Sequence, residues 1–160
     1  MVDAKLTHEE QMMARAINNA TKARPRCMPN PWVGAVLVSS DGQVFDGFTQ
    51  EFGGEHAETV CLNEAGEKAQ GATLFVTLEP CSHIGKTGPC VERIIESRIS
   101  RVVIGMKDPD HQVYGEGIKS LQNAGIDVVA GVLETLVSDQ LAPYVPVSYT
   151  HLTLPTNREV

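Results

Sequence analysis

Long apolar runs are missing from this chain of 160 residues. The longest, Val33–Val38, is strand-sized and far short of the ~20 residues that a membrane-spanning helix needs. The first residues, Met1 to Glu10, are charged and lack the apolar centre of a secretory signal. A cytoplasmic location with no membrane partner is therefore the expectation. Basic clusters are missing too. No group is denser than the loose trio Lys22, Arg24 and Arg26, and 13 basic against 20 acidic side chains leave a formal net charge of −7. Nucleic acid is not an expected partner, because phosphate backbones are met by clustered Lys and Arg. Cysteine is sparse: four thiols are few for a disulfide scaffold, and without an export signal they point to metal binding, catalysis or core packing. The remaining composition, 42% hydrophobic and 21% charged, is that of a globular domain rather than a disordered chain.

What is present is hydrophobic periodicity. Thr7 and Glu10 fit a T-x-x-E capping box, and Met13, Ala16, Ile17 and Ala20 follow at helical spacing, which predicts a helix ending before Pro25. After a proline-rich loop, Val33–Val38 reads as a buried strand, Ser39–Gly42 as a hairpin turn and Gln43–Phe48 as the returning strand. A helix is predicted over His56–Ala69, a third strand over Ala72–Leu78, and a loop over Ser82–Pro89. Helices near Cys90–Ser97, Gly117–Asn123 and Leu133–Leu141 then alternate with strands Arg101–Gly105 and Ile126–Ala130. That alternation implies parallel pairing, and the hairpin supplies an antiparallel edge. The fold class expected is α/β, a three-layer α/β/α sandwich on a five-stranded mixed sheet. Residues 1–146 form one expected domain. Residues 147–160 break the pattern, either as a tail packing on a neighbour or as a non-native linker sequence.

The chemistry-bearing residues are His56-Ala57-Glu58, Pro80-Cys81 and Cys90. One nitrogen and two sulfur donors suit Zn²⁺, and three protein ligands leave a fourth position open, as in catalytic sites. Glu58, two residues after His56 at a helix start, can stand beside the metal and move protons. Cys90 and His56 open predicted helices, whose partly positive N-termini favour thiolate over thiol. Two thiolates, a neutral imidazole and Zn²⁺ sum to zero charge. The set matches the H-x-E and P-C…C pattern of zinc nucleobase deaminases, here with eight residues between the cysteines. The alternative is two buried cysteines and a surface histidine. Cys61, on the helix after His56, is expected to be buried, and His8, His111 and His151 carry no pattern.

The stretch Thr77-Leu-Glu-Pro-Cys-Ser-His-Ile-Gly-Lys-Thr-Gly-Pro-Cys90 resembles the deaminase domain of the bacterial riboflavin-pathway deaminase/reductases, within the cytidine deaminase superfamily. Met13–Ala16, Pro29–Gly34, Lys107–Pro109 and Gly115–Gly117 agree with it, so the resemblance spans about residues 8–145. It implies a cytidine-deaminase-like fold, Zn²⁺ on His56, Cys81 and Cys90, and Glu58 as proton shuttle. It also implies substrate contacts from Asn30, His83, Lys86, Thr87 and Asp108, and a homo-oligomer. The implied reaction is hydrolytic deamination of an aminopyrimidine, the phosphoribosylated intermediate of riboflavin synthesis. Deamination of a free nucleobase or nucleoside is the alternative, and a non-catalytic zinc-binding module a more distant one. Three departures bear on that choice: Thr49 stands where the family usually has histidine, Glu55 where it has proline, and Asp110-His111 where it has asparagine and proline.

Overall fold

The architecture rests on a computed structural model that describes residues 5–23, 31–51, 54–81, 90–109 and 115–142. Helix α1, His8–Thr21, begins at the expected capping box: the Glu10 N–H donates to Thr7 Oγ1, and the Thr7 N–H to Glu10 Oε1. Strands β1, Gly34–Val38, and β2, Val44–Phe48, form the hairpin, and β1 also pairs antiparallel with β3, Thr73–Leu78. From β3 onward the sheet is parallel through β4, Arg101–Met106, and β5, Asp127–Ala130, giving the order β2-β1-β3-β4-β5. The parallel run arises because each crossover is a helix: α3, Cys90–Glu96, after β3 and α4, Glu116–Asn123, after β4.

Alternation along the strands sorts the core onto two faces. Val36, Phe75 and Val103 pack with Met13 and Ala16 of α1. Helix α5, Glu134–Leu141, lies on β4 on that same side, where Val137 and Met13 both approach Gly105. Ala35, Leu37, Leu74, Val76, Val102 and Ile104 face the other layer, built by α2, Ala57–Ala65, with α3 and α4. The five-stranded α/β/α expectation holds. Helix α1 is tied to the hairpin by polar bonds as well. Arg15 makes two 2.7 Å bonds to the Asp46 carboxylate, and the buried Asn19 amide donates to the Ala35 carbonyl and to Asp46.

One predicted element is shorter than expected. The helix read over 56–69 ends at Ala65, and Gly66–Ala69 is a 3-10 turn. Gly66 sits at φ +57° and ψ −127°, a conformation open to glycine and closed to residues with a Cβ, and there the helix ends. The predicted loop 82–89 and the segment 147–160 lie outside the described residues. Among the described residues no helix is long and apolar enough to cross a membrane.

Candidate metal centre and pocket

Two local signals place the donors. His56 is the N-cap of α2, in extended conformation, so its ring leaves the helix axis and meets the end of β3. Cys81 follows β3 after the rigid Pro80, and Cys90 is the first residue of α3. The fold brings them together although 25 residues separate His56 from Cys81. His56 Nδ1 lies 3.1 Å from Cys90 Sγ and 3.9 Å from Cys81 Sγ, and the Cys90 N–H points at Cys81 Sγ across 3.4 Å. The three donor atoms lie within 4.8 Å of one another, and among the described residues this is the one group able to hold a metal ion.

The protonation pattern fits that ion. Hydrogen bonding from Cys90, and then from His56, pulls the Cys81 thiol down to about 4 against its burial. Cys90 is driven the opposite way, first by its bond to Cys81 and then by burial. His56 is raised by its bond to Cys81. Two adjacent sulfurs cannot both ionise without a cation between them, so one proton remains where a divalent ion would replace it. The soft N/S donor set is that of zinc.

Glu58 lies in the first turn of α2 and is only 4% exposed. Burial raises its carboxyl to about 7, where gain and loss of a proton are nearly balanced at neutral pH. His56, Glu58 and Cys81 line one cavity of about 180 Å³, walled by Pro31, Val33, Leu78 and Thr49, with Glu79 and Asp108 at its side. The volume corresponds to several waters at ~30 Å³ each. Thr49, at a departure from the family pattern, is internally committed: its hydroxyl accepts from the Val33 N–H at 3.0 Å and donates to the Val33 carbonyl at 3.3 Å. It shapes the wall. Cys61 is buried as expected, and burial pushes its thiol up, away from reactivity.

Residues 6–106 match the family model of the cytidine and deoxycytidylate deaminase zinc-binding region. The chain belongs to this deaminase family. The riboflavin biosynthesis protein RibD of Escherichia coli is 49% identical over 125 residues, covering 78% of this chain and 34% of that protein. The chain thus spans about a third of the length of such relatives. Among solved structures, Acinetobacter baumannii RibD superposes with a TM-score of 0.82 at 41% identity, over 85% of this chain and 38% of its own. The Thermotoga maritima diaminohydroxyphosphoribosylaminopyrimidine deaminase/reductase superposes with a TM-score of 0.79 at 47% identity, over 85% of this chain and 40% of its own. The deaminase fold and the zinc-type donor set agree with the sequence expectation.

Of the expected substrate contacts, the structure brings Asp108 to the pocket. Asn30, His83, Lys86 and Thr87, with Asp110 and His111, lie outside the described residues. One pocket residue carried no sequence signal of its own. Glu79 stands inside the Glu-Pro-Cys stretch, but its partners are the backbone N–H groups of Asp108, Gly115, Gly117 and Ile118, which no side-chain motif marks.

Proposed function

We propose that this chain is a hydrolytic deaminase of a small aminopyrimidine, and that its substrate is the phosphoribosylated diaminopyrimidine of riboflavin synthesis. The observation that carries the reading is the convergence of His56 Nδ1, Cys81 Sγ and Cys90 Sγ at one end of a small pocket that His56, Cys81 and the buried Glu58 line. Similarity to the RibD proteins supports the choice of substrate. His56, Cys81 and Cys90 are assigned as zinc ligands. When bound, zinc supplies Lewis acidity that lowers the pKa of water toward ~7.

The chain's own residues then do the proton work. The attacking water adds its oxygen to the amine-bearing ring carbon, and the Glu58 carboxylate accepts the proton it sheds. Glu58 passes that proton to the adjacent ring nitrogen. As the carbon–nitrogen bond breaks, Glu58 takes the remaining proton from the added hydroxyl and delivers it to the amine, so ammonia leaves and a ring carbonyl stands in its place. Burial raises the Glu58 carboxyl above the ordinary range, which favours its uptake of a proton in the first step. Pro31, Val33 and Leu78 exclude water from the apolar side of the ring. Asp108 is assigned a contact to the substrate.

Ammonia release from the phosphoribosylated pathway intermediate, cytosine, isocytosine and cytidine, compared side by side, tests the substrate. Turnover of the pathway intermediate above the others is expected. Reaction of unphosphorylated compounds alone would overturn the assignment while leaving the deaminase chemistry standing. Metal analysis tests the centre: one zinc per chain is expected, and chelation should lower the thermal midpoint because zinc binds the folded state. A Cys81→Ser protein that retains native zinc affinity would remove Cys81 from the ligand set.

A further inference from the structure

We propose that Glu79 is a positioning residue that sets Asp108 and the start of α4 against the zinc-ligand segment, and so fixes the shape of the substrate pocket. The inference rests on the deaminase reading above and deepens it. Glu79 is only 4% exposed, yet it lies beside the cavity. Its Oε1 accepts the N–H of Asp108 at 3.0 Å and of Gly115 at 3.1 Å. Its Oε2 accepts the N–H of Gly117 at 2.8 Å and of Ile118 at 3.2 Å. A carboxylate offers about four lone-pair positions, so these four bonds use its capacity and leave nothing for a substrate. Glu79 therefore acts through what it holds.

What it holds is specific. Asp108 lines the pocket, and Gly115 and Gly117 open α4, whose N-terminal dipole favours a carboxylate. Cys81 follows Glu79 by two residues across Pro80, so the clamp and the metal ligand share one short, stiff segment. A second contact makes the same joint. A Cβ at Gly117 would lie 2.3 Å from the Pro80 carbonyl oxygen and 3.3 Å from Glu79 Oε2, so α4 reaches this segment only because residue 117 has no side chain. Pocket wall and metal centre are thereby registered to each other, and a displacement of about 1 Å between such groups is enough to cost ~100-fold in efficiency.

Glu79→Gln keeps the shape but replaces one acceptor oxygen with a donor, which turns two of the four bonds into repulsions. Three readouts are made on the zinc-loaded protein: steady-state kinetics with the pathway intermediate, zinc content, and amide hydrogen exchange at Asp108, Gly115, Gly117 and Ile118. The expected result is a KM raised by about tenfold or more with kcat within about threefold, since charged hydrogen bonds are lost outside the reacting centre. Zinc content should be unchanged and the four amides should exchange faster. Gly117→Ala leaves the Glu79 side chain chemically intact but crowds the joint at the Pro80 carbonyl and at Glu79 Oε2, and should give the same signature; it carries the test should Glu79→Gln fail to fold. A lower thermal midpoint with KM unchanged would reduce Glu79 to a stability role and overturn the proposal. So would loss of zinc with collapse of kcat. If the native protein releases ammonia from none of the pyrimidines, the deaminase reading falls, and the exchange comparison still decides whether the clamp exists.

Discussion

Glu58→Gln is expected to bind zinc, fold normally and release ammonia about 10²–10⁴-fold more slowly than the native protein, the range set by removal of a general acid–base group. Glutamine matches glutamate in shape and fills the same buried volume, so packing in the first turn of α2 is preserved. The amide cannot take up a proton from water or pass one to a ring nitrogen. Zinc retention follows because, among the described residues, the donor group comprises His56, Cys81 and Cys90 and not Glu58. Ammonia release is followed in a coupled assay and zinc by elemental analysis on the same sample. Turnover within a few-fold of native would remove Glu58 from the proton path. Loss of zinc would instead make it part of the metal's support. Burial raises this carboxyl above the ordinary range and so makes it a stronger base than an exposed one.

Gly34→Ala is expected to destabilise the fold by about 3 kcal/mol, at the upper end of the cost of overpacking a filled core. Helix α1 crosses β1 at this residue, and an added Cβ would lie 1.8 Å from the Ala16 carbonyl oxygen and 2.6 Å from the Ala20 nitrogen. Both are backbone atoms of a helix with no rotamer to yield, so the whole of α1 must retreat from the sheet. Retreat stretches the Asn19 bond to the Ala35 carbonyl and the Arg15–Asp46 pair, which anchor α1 to the hairpin. For a domain of this size the loss corresponds to a thermal midpoint lower by about 6–12 °C, measurable by calorimetry. A shift within 1 °C would mean that α1 slides without cost. The zinc centre lies on the other layer, so metal content of the folded fraction should be unaffected.

Much of the fold was legible because its signals are local. The capping box at Thr7 and Glu10 and the apolar spacing that follows encode α1 within a dozen residues. Ser39–Gly42 encodes its own reversal, and strand–helix alternation after Leu78 leaves parallel pairing as the economical arrangement. The donor set was legible for a related reason: cysteine and histidine are scarce in this chain, and their chemistry survives translation from sequence to space. The end of α2 is less legible: the expected helix runs on to Ala69, whereas the local backbone at Gly66, φ +57°, ends it at Ala65. Thr49 was legible only as a departure. Its hydroxyl pairing with Val33 depends on two backbone groups that sequence pattern does not position.

The sequence by itself determined the class of this protein, because ligand chemistry, turn chemistry and hydrophobic period are properties of residues and their near neighbours. It determined which three side chains offer donors suited to a soft divalent ion and which carboxylate stands two residues away. Tertiary structure alone decided that the three donors converge, that His56, Glu58 and Cys81 line one small cavity, and that burial raises the Glu58 carboxyl. It also decided that Glu79 belongs to the site. That role is made of four backbone N–H groups, present in nearly every residue and therefore invisible in any sequence, which become a specific partner only when the chain folds them to converge on one buried carboxylate.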